Sequence, residues 1–204
     1  MLRIKMSIIS AILVLACGVA RAADTYKPDD EGFIRNWLVL APIPNGENVS
    51  GTDALAKQYL ADEAKLKPKA DDKAKIGDLE LTWKAVDAGD SIINFNGILG
   101  QQTEDSTAYA VAYVVADDEM KDLHLKMGSD DQAKVYLNGK EALKNETPRP
   151  VGKDQDTAGD VTLEKGTNVI VFKVVNEKMD WGGCLRFTDK SDNPVKNLTI
   201  KLAP

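Results

Sequence analysis

Residues 128–143 read Gly128-Ser-Asp-Asp-Gln-Ala-Lys-Val-Tyr-Leu-Asn-Gly-Lys-Glu-Ala-Leu143, and they decide the fold class. Ala133, Val135 and Leu137 alternate with Lys134 and Tyr136, which is the period-two pattern of a half-buried β-strand. The next two residues are Asn-Gly, the dipeptide that best tolerates the positive φ angles of a tight type I′ turn. The stretch therefore predicts a β-hairpin behind a polar, acidic loop.

The same kind of pattern extends in both directions from this hairpin. Residues 107–116 place large side chains on one face and alanines on the other, and residues 168–175 are apolar on both faces. Both patterns favour central strands with neighbours on each side. Residues 33–40 predict a buried strand that ends before Pro42. Many short strands separated by turn residues predict an all-β sandwich or barrel.

One short N-terminal helix interrupts the β pattern. Thr52-Asp53 is typical of a helix start, apolar residues follow at helical spacing, and Pro68 marks the end. Residues 61–78 are rich in Lys, Asp and Ala, which predicts a solvated helix end and a mobile loop. We expect residues 79–86 and 92–95 to be strands, and residues 144–160 to be a long polar loop.

The N-terminus has the features of an export signal. Arg3 and Lys5 are followed by an uncharged apolar run over residues 6–16, and Ala20-Arg21-Ala22 supplies the small residues that a signal peptidase reads. The run is too short for a stable membrane span. We therefore divide the chain into a signal peptide (1–22), a polar tail (23–32) and a single β-sandwich domain (33–204), and expect a periplasmic or extracellular protein.

A second cleavage site is present within the same signal. Val14-Leu15-Ala16-Cys17-Gly18 resembles a bacterial lipobox, in which cleavage before Cys17 leaves a lipidated cysteine. The position of Ala-Arg-Ala favours cleavage after Ala22 instead. Use of the lipobox would make the chain an outer-membrane lipoprotein, so a membrane partner is expected only if Cys17 is lipidated.

Charge and cysteine content exclude several classes of function. Removing residues 1–22 takes away three basic and no acidic residues, so the net charge falls from −6 to −9. Nucleic acids and anionic membrane surfaces need a basic footprint, so neither is an expected partner. Cys184 is the one cysteine left after that cleavage, which excludes an intramolecular disulfide.

Catalytic patterns find little support in this sequence. His124 is the only histidine and lies on the polar side of an alternating strand, and Cys184 at a strand start is typical of a small buried residue. A zinc site would need more His and Cys ligands than these two. We expect no enzymatic activity. A hydrolase using two carboxylates stays a minor alternative, because 32 acidic residues offer many pairs.

Three segments together resemble the galactose-binding-like jelly roll, as in the sugar-binding domain of family 2 glycoside hydrolases. They are the hairpin of residues 128–139, the Leu-x-x-Gly-x-Asn approach to a strand in residues 163–173, and residues 181–189, which begin with Trp and end with Arg-x-x-Asp. The opening segment, residues 32–44, also resembles the start of secreted bacterial proteins. The resemblance spans residues 31–204. It implies a carbohydrate-binding or accessory module, often with a structural calcium ion and no other cofactor.

Two aromatic residues and one acidic loop are the candidate sites. Sugars stack on exposed aromatic faces flanked by polar groups, and the alternation predicts that Tyr136 projects to solvent beside Asn138. Trp181 lies in a loop-like segment close to Arg186, which makes this pair the second candidate. Calcium takes six to eight hard oxygen ligands, and Asp130 and Asp131 lead the acidic loops that could supply them.

These observations favour a non-catalytic, exported module that binds carbohydrate or another extracytoplasmic ligand. The alternative is a structural or assembly protein of the cell envelope, with or without a lipid anchor at Cys17. Specific binding to a polysaccharide would separate the two.

Overall fold

A computed structural model describes residues 25–204, so the predicted signal peptide and Cys17 lie outside the described residues. Within this range the chain forms antiparallel sheets with a few short helices, which confirms the predicted all-β sandwich. The strands are β1 Thr25–Tyr26, β2 Asn36–Pro44, β3 Lys73–Ile76, β4 Leu79–Thr82, β5 Lys84–Asp87, β6 Ile93–Asn94, β7 Ser106–Ala116, β8 Met120–Asp130, β9 Ala133–Leu137, β10 Lys140–Asn145, β11 Asp156–Leu163, β12 Gly166–Asn176, β13 Gly182–Thr188 and β14 Thr199–Lys201. The helices are α1 Gly51–Ala56, a 3₁₀ helix Glu63–Lys65 and α2 Phe95–Leu99.

The larger sheet of the described chain has eight strands and is built around β7. Its main path runs β1-β14-β7-β12-β9-β10. One edge of β7 pairs with β12, and the other edge pairs with both β14 and β2. The remaining strand, β5, pairs with β2. The smaller sheet runs β11-β8-β13-β6, and β3 pairs with β4 in a separate hairpin. The predicted central strands are confirmed, because β7 and β12 each pair with neighbours on both edges.

The hairpin that decides the fold forms as the sequence predicts. β9 and β10 pair from Leu137 opposite Lys140. Asn138 and Gly139 have φ angles of 51° and 82°, the positive values that a type I′ turn requires. Asn138 and Gly139 adopt positive φ angles at low energetic cost, so this turn sets the register between β9 and β10 at the edge of the large sheet.

The main core lies between the two sheets and follows the alternation of the strands. Trp37 and Val39 of β2 face into it, with the alanines of β7. Phe172 of β12 lies 6.3 Å from Trp37, centroid to centroid. Leu125, Met127, Leu185 and Phe187 belong to the same core from the opposite sheet.

A second apolar cluster lies on the outer face of the large sheet, beneath residues 45–83, which we call the covering segment. The sheet contributes Leu38, Leu40, Ile43, Tyr109, Val111, Tyr113, Tyr136 and Val171, and the covering segment contributes Tyr59, Leu60, Ala64, Leu66, Ala74, Ile76, Leu81 and Trp83. The prediction of a mobile loop over residues 61–78 is therefore wrong. These residues form the 3₁₀ helix and β3, the first strand of the β3–β4 hairpin, because their sparse apolar side chains bury against the sheet.

The predicted N-terminal helix is present but shorter than its apolar spacing suggested. Ser50 caps α1 by accepting a hydrogen bond from the Asp53 N–H, and the chain becomes extended at Lys57. The later apolar residues contact the sheet from a chain that turns along its surface. Packing against the sheet therefore determines the conformation of these residues more strongly than their helix propensity does, as tertiary contacts often do.

Further differences are local. A second short helix, α2, starts where a strand was predicted to end, because the Asn94 side chain accepts a hydrogen bond from the Gly97 N–H at 2.8 Å. Trp83 divides the strand predicted over residues 79–86 into β4 and β5. The predicted 144–160 loop contains the start of β11, and β1 lies within the predicted polar tail, paired with β14.

A charged network is buried between the covering segment and the large sheet. Lys173 of β12 is fully buried, and its Nζ lies 3.3 Å from Glu63 Oε2 and donates to the Leu55 carbonyl at 2.9 Å. Tyr136 donates to Glu63 Oε1 at 2.7 Å, and Tyr109 donates to Glu63 Oε2 at 2.5 Å. Burial raises the pKa of both tyrosines, and the Glu63 carboxylate adds to that rise. Burial lowers the pKa of Lys173 to about 8, although the Glu63 carboxylate opposes this shift. The network joins the covering segment to three strands of the sheet.

Replacing Gly128 is expected to destabilise the protein by about 2 kcal/mol, the usual cost of overpacking. A Cβ at Gly128 would lie 1.7 Å from the Gly152 carbonyl oxygen, so the loop before β11 must move. Urea unfolding of Gly128→Ala measures the effect. Gly159→Ala is the control, because its Cβ would meet only His124, at an ordinary 3.8 Å. Equal stability of the two variants would contradict the prediction.

Candidate functional site

Three neighbouring strands of the small sheet end at one concave surface. Gly182 of β13 pairs with both Asp130 of β8 and Asn94 of β6, so these strand ends lie side by side. The loop residues Pro150 and Val151 close the opposite wall. The depression has a volume of about 320 Å³, and its lining is Ile92, Ile93, Asn94, Asp130, Pro150, Val151, Asp180, Trp181 and Gly182.

A second depression of about 370 Å³ adjoins the first. Its lining repeats Asp130, Pro150 and Asp180 and adds Asp131, Pro148, Arg149, Lys178 and Met179. We call the two together the Asp130 groove. Met179 is 68% exposed beside it, which is unusual for a large apolar side chain in this protein.

The sequence Asp180-Trp181-Gly182-Gly183 shapes the wall of the groove. A Cβ at Gly182 would lie 2.7 Å from the Ile93 carbonyl, and one at Gly183 would lie 2.6 Å from the Phe172 ring. The paired glycines thus let β13 approach both β6 and the core. Trp181 packs on Phe95 with ring centroids 5.0 Å apart and is 2% exposed. Its Nε1 has no hydrogen-bond partner among residues 25–204.

Asp130 is a buried carboxyl group in an acidic environment. It is 6% exposed, and desolvation raises its pKa to about 6, with further contributions from the charges of Asp131 and Asp180. Desolvation also raises the pKa of Asp131, although its Oδ2 accepts a hydrogen bond from the Glu177 N–H at 2.8 Å. A perturbed carboxyl group in a concave surface is a marker of function, because burial of its charge costs stability.

The structure brings together three of the six predicted site residues. Asp130, Asp131 and Trp181 line the Asp130 groove. Tyr136 does not project to solvent: it is 8% exposed and donates to Glu63, because the covering segment lies over its strand. Asn138 holds the hairpin turn, where its Oδ1 accepts a hydrogen bond from the Val169 N–H at 2.9 Å.

Arg186 is not beside Trp181 but in a cluster of its own on the outer face of β13. Its Nε donates to Asp154 Oδ1 at 2.9 Å, its Nη1 donates to the Glu31 carbonyl at 2.8 Å, and its guanidinium lies 4.9 Å from the centre of the Phe33 ring. These contacts tie the N-terminal segment and the loop before β11 to the small sheet. Trp181 directly precedes β13 and lies five residues before Arg186, so strand alternation directs the two side chains to opposite sides.

Sequence reasoning missed the loop residues of the groove. Asp180 precedes the predicted Trp181, and Pro150 lies in the loop predicted over residues 144–160, yet neither was selected. The available signal was the length of this polar loop, since binding residues lie disproportionately on loops held by a rigid scaffold. Nothing local indicated that this loop lies against β13.

Structural calcium at Asp130 and Asp131 stays a prediction. Among residues 25–204, no three His, Cys, Asp or Glu side chains form a group that could hold a metal ion. Two carboxylates are a poor donor set for an ion that takes six to eight oxygens. A melting curve recorded with millimolar calcium and then with chelator tests the prediction, and identical curves would contradict it.

Comparisons with known proteins add little to this geometry. No protein-family model matches the sequence, and no curated protein matches it. Among solved structures, the GH31 α-xylosidase from Xanthomonas citri is similar at 12% identity with a TM-score of 0.33. The match covers 89% of this chain and 20% of that one, and a likeness of this size carries no argument about function. Within residues 25–204, no helix has the length and apolar character needed to cross a membrane.

Proposed function

We propose that this protein is an exported, non-catalytic module of the galactose-binding-like jelly-roll type that binds carbohydrate in the Asp130 groove. The observation that carries the proposal is the convergence of two carboxyl groups, Asp130 and Asp180, with apolar loop residues and Trp181 at the strand ends of the small sheet. Export rests on the signal pattern of residues 1–22. The jelly-roll assignment rests on the resemblance of residues 128–139, 163–173 and 181–189.

The lining of the groove matches the chemistry of a sugar ring. A pyranose has C–H faces that pack on apolar surface and hydroxyl groups that donate to carboxylates. Pro150 and Val151 supply the apolar wall, and Asp180 is exposed and free to accept hydroxyl donors. Trp181 lines the same depression, and its buried Nε1 lacks a hydrogen-bond partner within the described chain.

Binding of glycans by the purified protein tests the proposal. We expect saturable binding of at least one oligosaccharide in a broad calorimetric panel. Asp180→Asn should weaken that binding at least tenfold, about 1.4 kcal/mol, because the amide is a weaker acceptor than the carboxylate. Asp118→Asn is the matched control: Asp118 is exposed, pairs with Lys165 and does not line the groove. The absence of binding across the panel would overturn the proposal.

A further inference from the structure

The Asp130 groove carries more negative charge than its own residues neutralise. Asp130, Asp131 and Asp180 all line it. Within residues 25–204, none of the three makes a salt bridge. The charges of Asp131 and Asp180 each raise the pKa of Asp130, which places both of them within electrostatic range of that carboxyl group.

The two cations of the groove are engaged with other carboxylates. Lys178 Nζ lies 2.7 Å from Asp105 Oδ2 and 3.1 Å from Glu104 Oε2. Arg149 forms an ion pair with Asp156, with its Nη1 donating to Asp156 Oδ1 at 3.2 Å, and its Nη2 donates to Ser129 Oγ at 3.2 Å. Neither cation therefore forms an ion pair with the three aspartates in this arrangement.

An independent observation marks the same place as a binding surface. Trp181 is buried, lines the first depression and keeps its Nε1 without a hydrogen-bond partner in the described part of the chain. A buried donor of this kind costs free energy unless a ligand or water satisfies it. The acidic residues therefore line a surface that has apolar walls and, in its wall residue Trp181, a buried donor without a partner.

We propose that the saccharide bound in the Asp130 groove carries an ammonium group, so that amino sugars are preferred over neutral and N-acetylated sugars. This inference rests on the proposed function. An ammonium group brings three donors and the positive charge that Asp130, Asp131 and Asp180 lack. Its attraction to the carboxylates is strengthened at the desolvated Asp130, where the effective dielectric constant is below that of water. The ring supplies the C–H faces and acceptor oxygens that the walls and the Trp181 Nε1 match.

Three tetrasaccharides with the same β-1,4 backbone isolate the effect of charge. They carry an ammonium, an N-acetyl or a hydroxyl group at C2, and spermidine serves as a cation without a sugar ring. Calorimetry with the purified protein near pH 6.5 should show the glucosamine tetramer binding at least tenfold more tightly than the other two tetramers. Its affinity should fall with added salt and at least tenfold in Asp180→Asn, and stay unchanged in Asp118→Asn.

Any other outcome contradicts either the amino-sugar preference or the proposed carbohydrate function. If the neutral tetramers bind as tightly as the glucosamine tetramer, the charge preference is wrong and carbohydrate binding stands. If spermidine binds as tightly as the glucosamine tetramer, the groove is a cation site and the proposed carbohydrate function is wrong. If the glucosamine tetramer does not bind, the amino-sugar inference is wrong, and the wider glycan panel decides the proposed function separately.

Discussion

Glu63→Ala should lower the free energy of unfolding by about 3–5 kcal/mol, the range for breaking a buried ion pair on one side. The substitution leaves the Lys173 ammonium buried without its counter-charge and removes the acceptor of the Tyr109 and Tyr136 hydroxyls. At 2–4 °C per kcal/mol for a domain of this size, the melting temperature should fall by roughly 10 °C. Urea unfolding and calorimetry measure both quantities.

The defect of Glu63→Ala should shrink between pH 7 and pH 9. The folded-state pKa of Lys173 is already lowered to about 8, and losing Glu63 lowers it further. A lysine with a depressed pKa costs the folded state less as rising pH removes its charge. Glu63→Gln, which keeps an acceptor, should lie between the two proteins in stability.

Glu80→Ala is the matched control for the covering segment. Glu80 forms an exposed ion pair with Lys73 in the β3–β4 hairpin, so its loss should shift the melting temperature by no more than about 2 °C. A Glu63→Ala protein as stable as Glu80→Ala would show that the buried network does not hold the covering segment.

Asp130→Asn should stabilise the protein at pH 7.5 by up to about 3 kcal/mol, while weakening ligand binding. The raised pKa means that the ionised carboxyl group is disfavoured in the folded state, and one pKa unit corresponds to about 1.4 kcal/mol. The neutral amide has the same shape and carries no charge. A residue whose ionised side chain costs the folded state stability is typical of a functional site.

The pH dependence of this gain follows from the two pKa values of Asp130. Its folded-state pKa of about 6 lies above the ordinary 3.8, so the native carboxyl group is fully stabilising only below pH 4 and loses that contribution as pH rises through 6. The advantage of Asp130→Asn should therefore be largest above pH 6 and vanish near pH 4. Thermal melts across this range test it. A constant difference between the proteins at all pH values would show that Asp130 is not desolvated.

The candidate site was only partly accessible to sequence reasoning. The sequence indicates Trp181 as a sugar contact and Asp130 as a calcium ligand, but nothing in it connects these two residues, which are 51 positions apart. Their meeting depends on the pairing of Gly182 with Asp130 across the small sheet, which no local pattern encodes. Tyr136 was misplaced for the opposite reason, since strand alternation gives the face of a residue but not what covers that face.

By itself, the sequence determined the strand pattern, the Asn138-Gly139 turn, the central positions of β7 and β12, and the acidic character of the protein. These follow from side-chain period and turn chemistry, which act over a few residues. Only the tertiary structure decided that residues 45–83 cover the large sheet and that Glu63 meets Lys173, 110 residues away. The same holds for the Asp130 groove. Long-range contacts of this kind depend on which surfaces become buried together, and burial is a property of the folded chain as a whole.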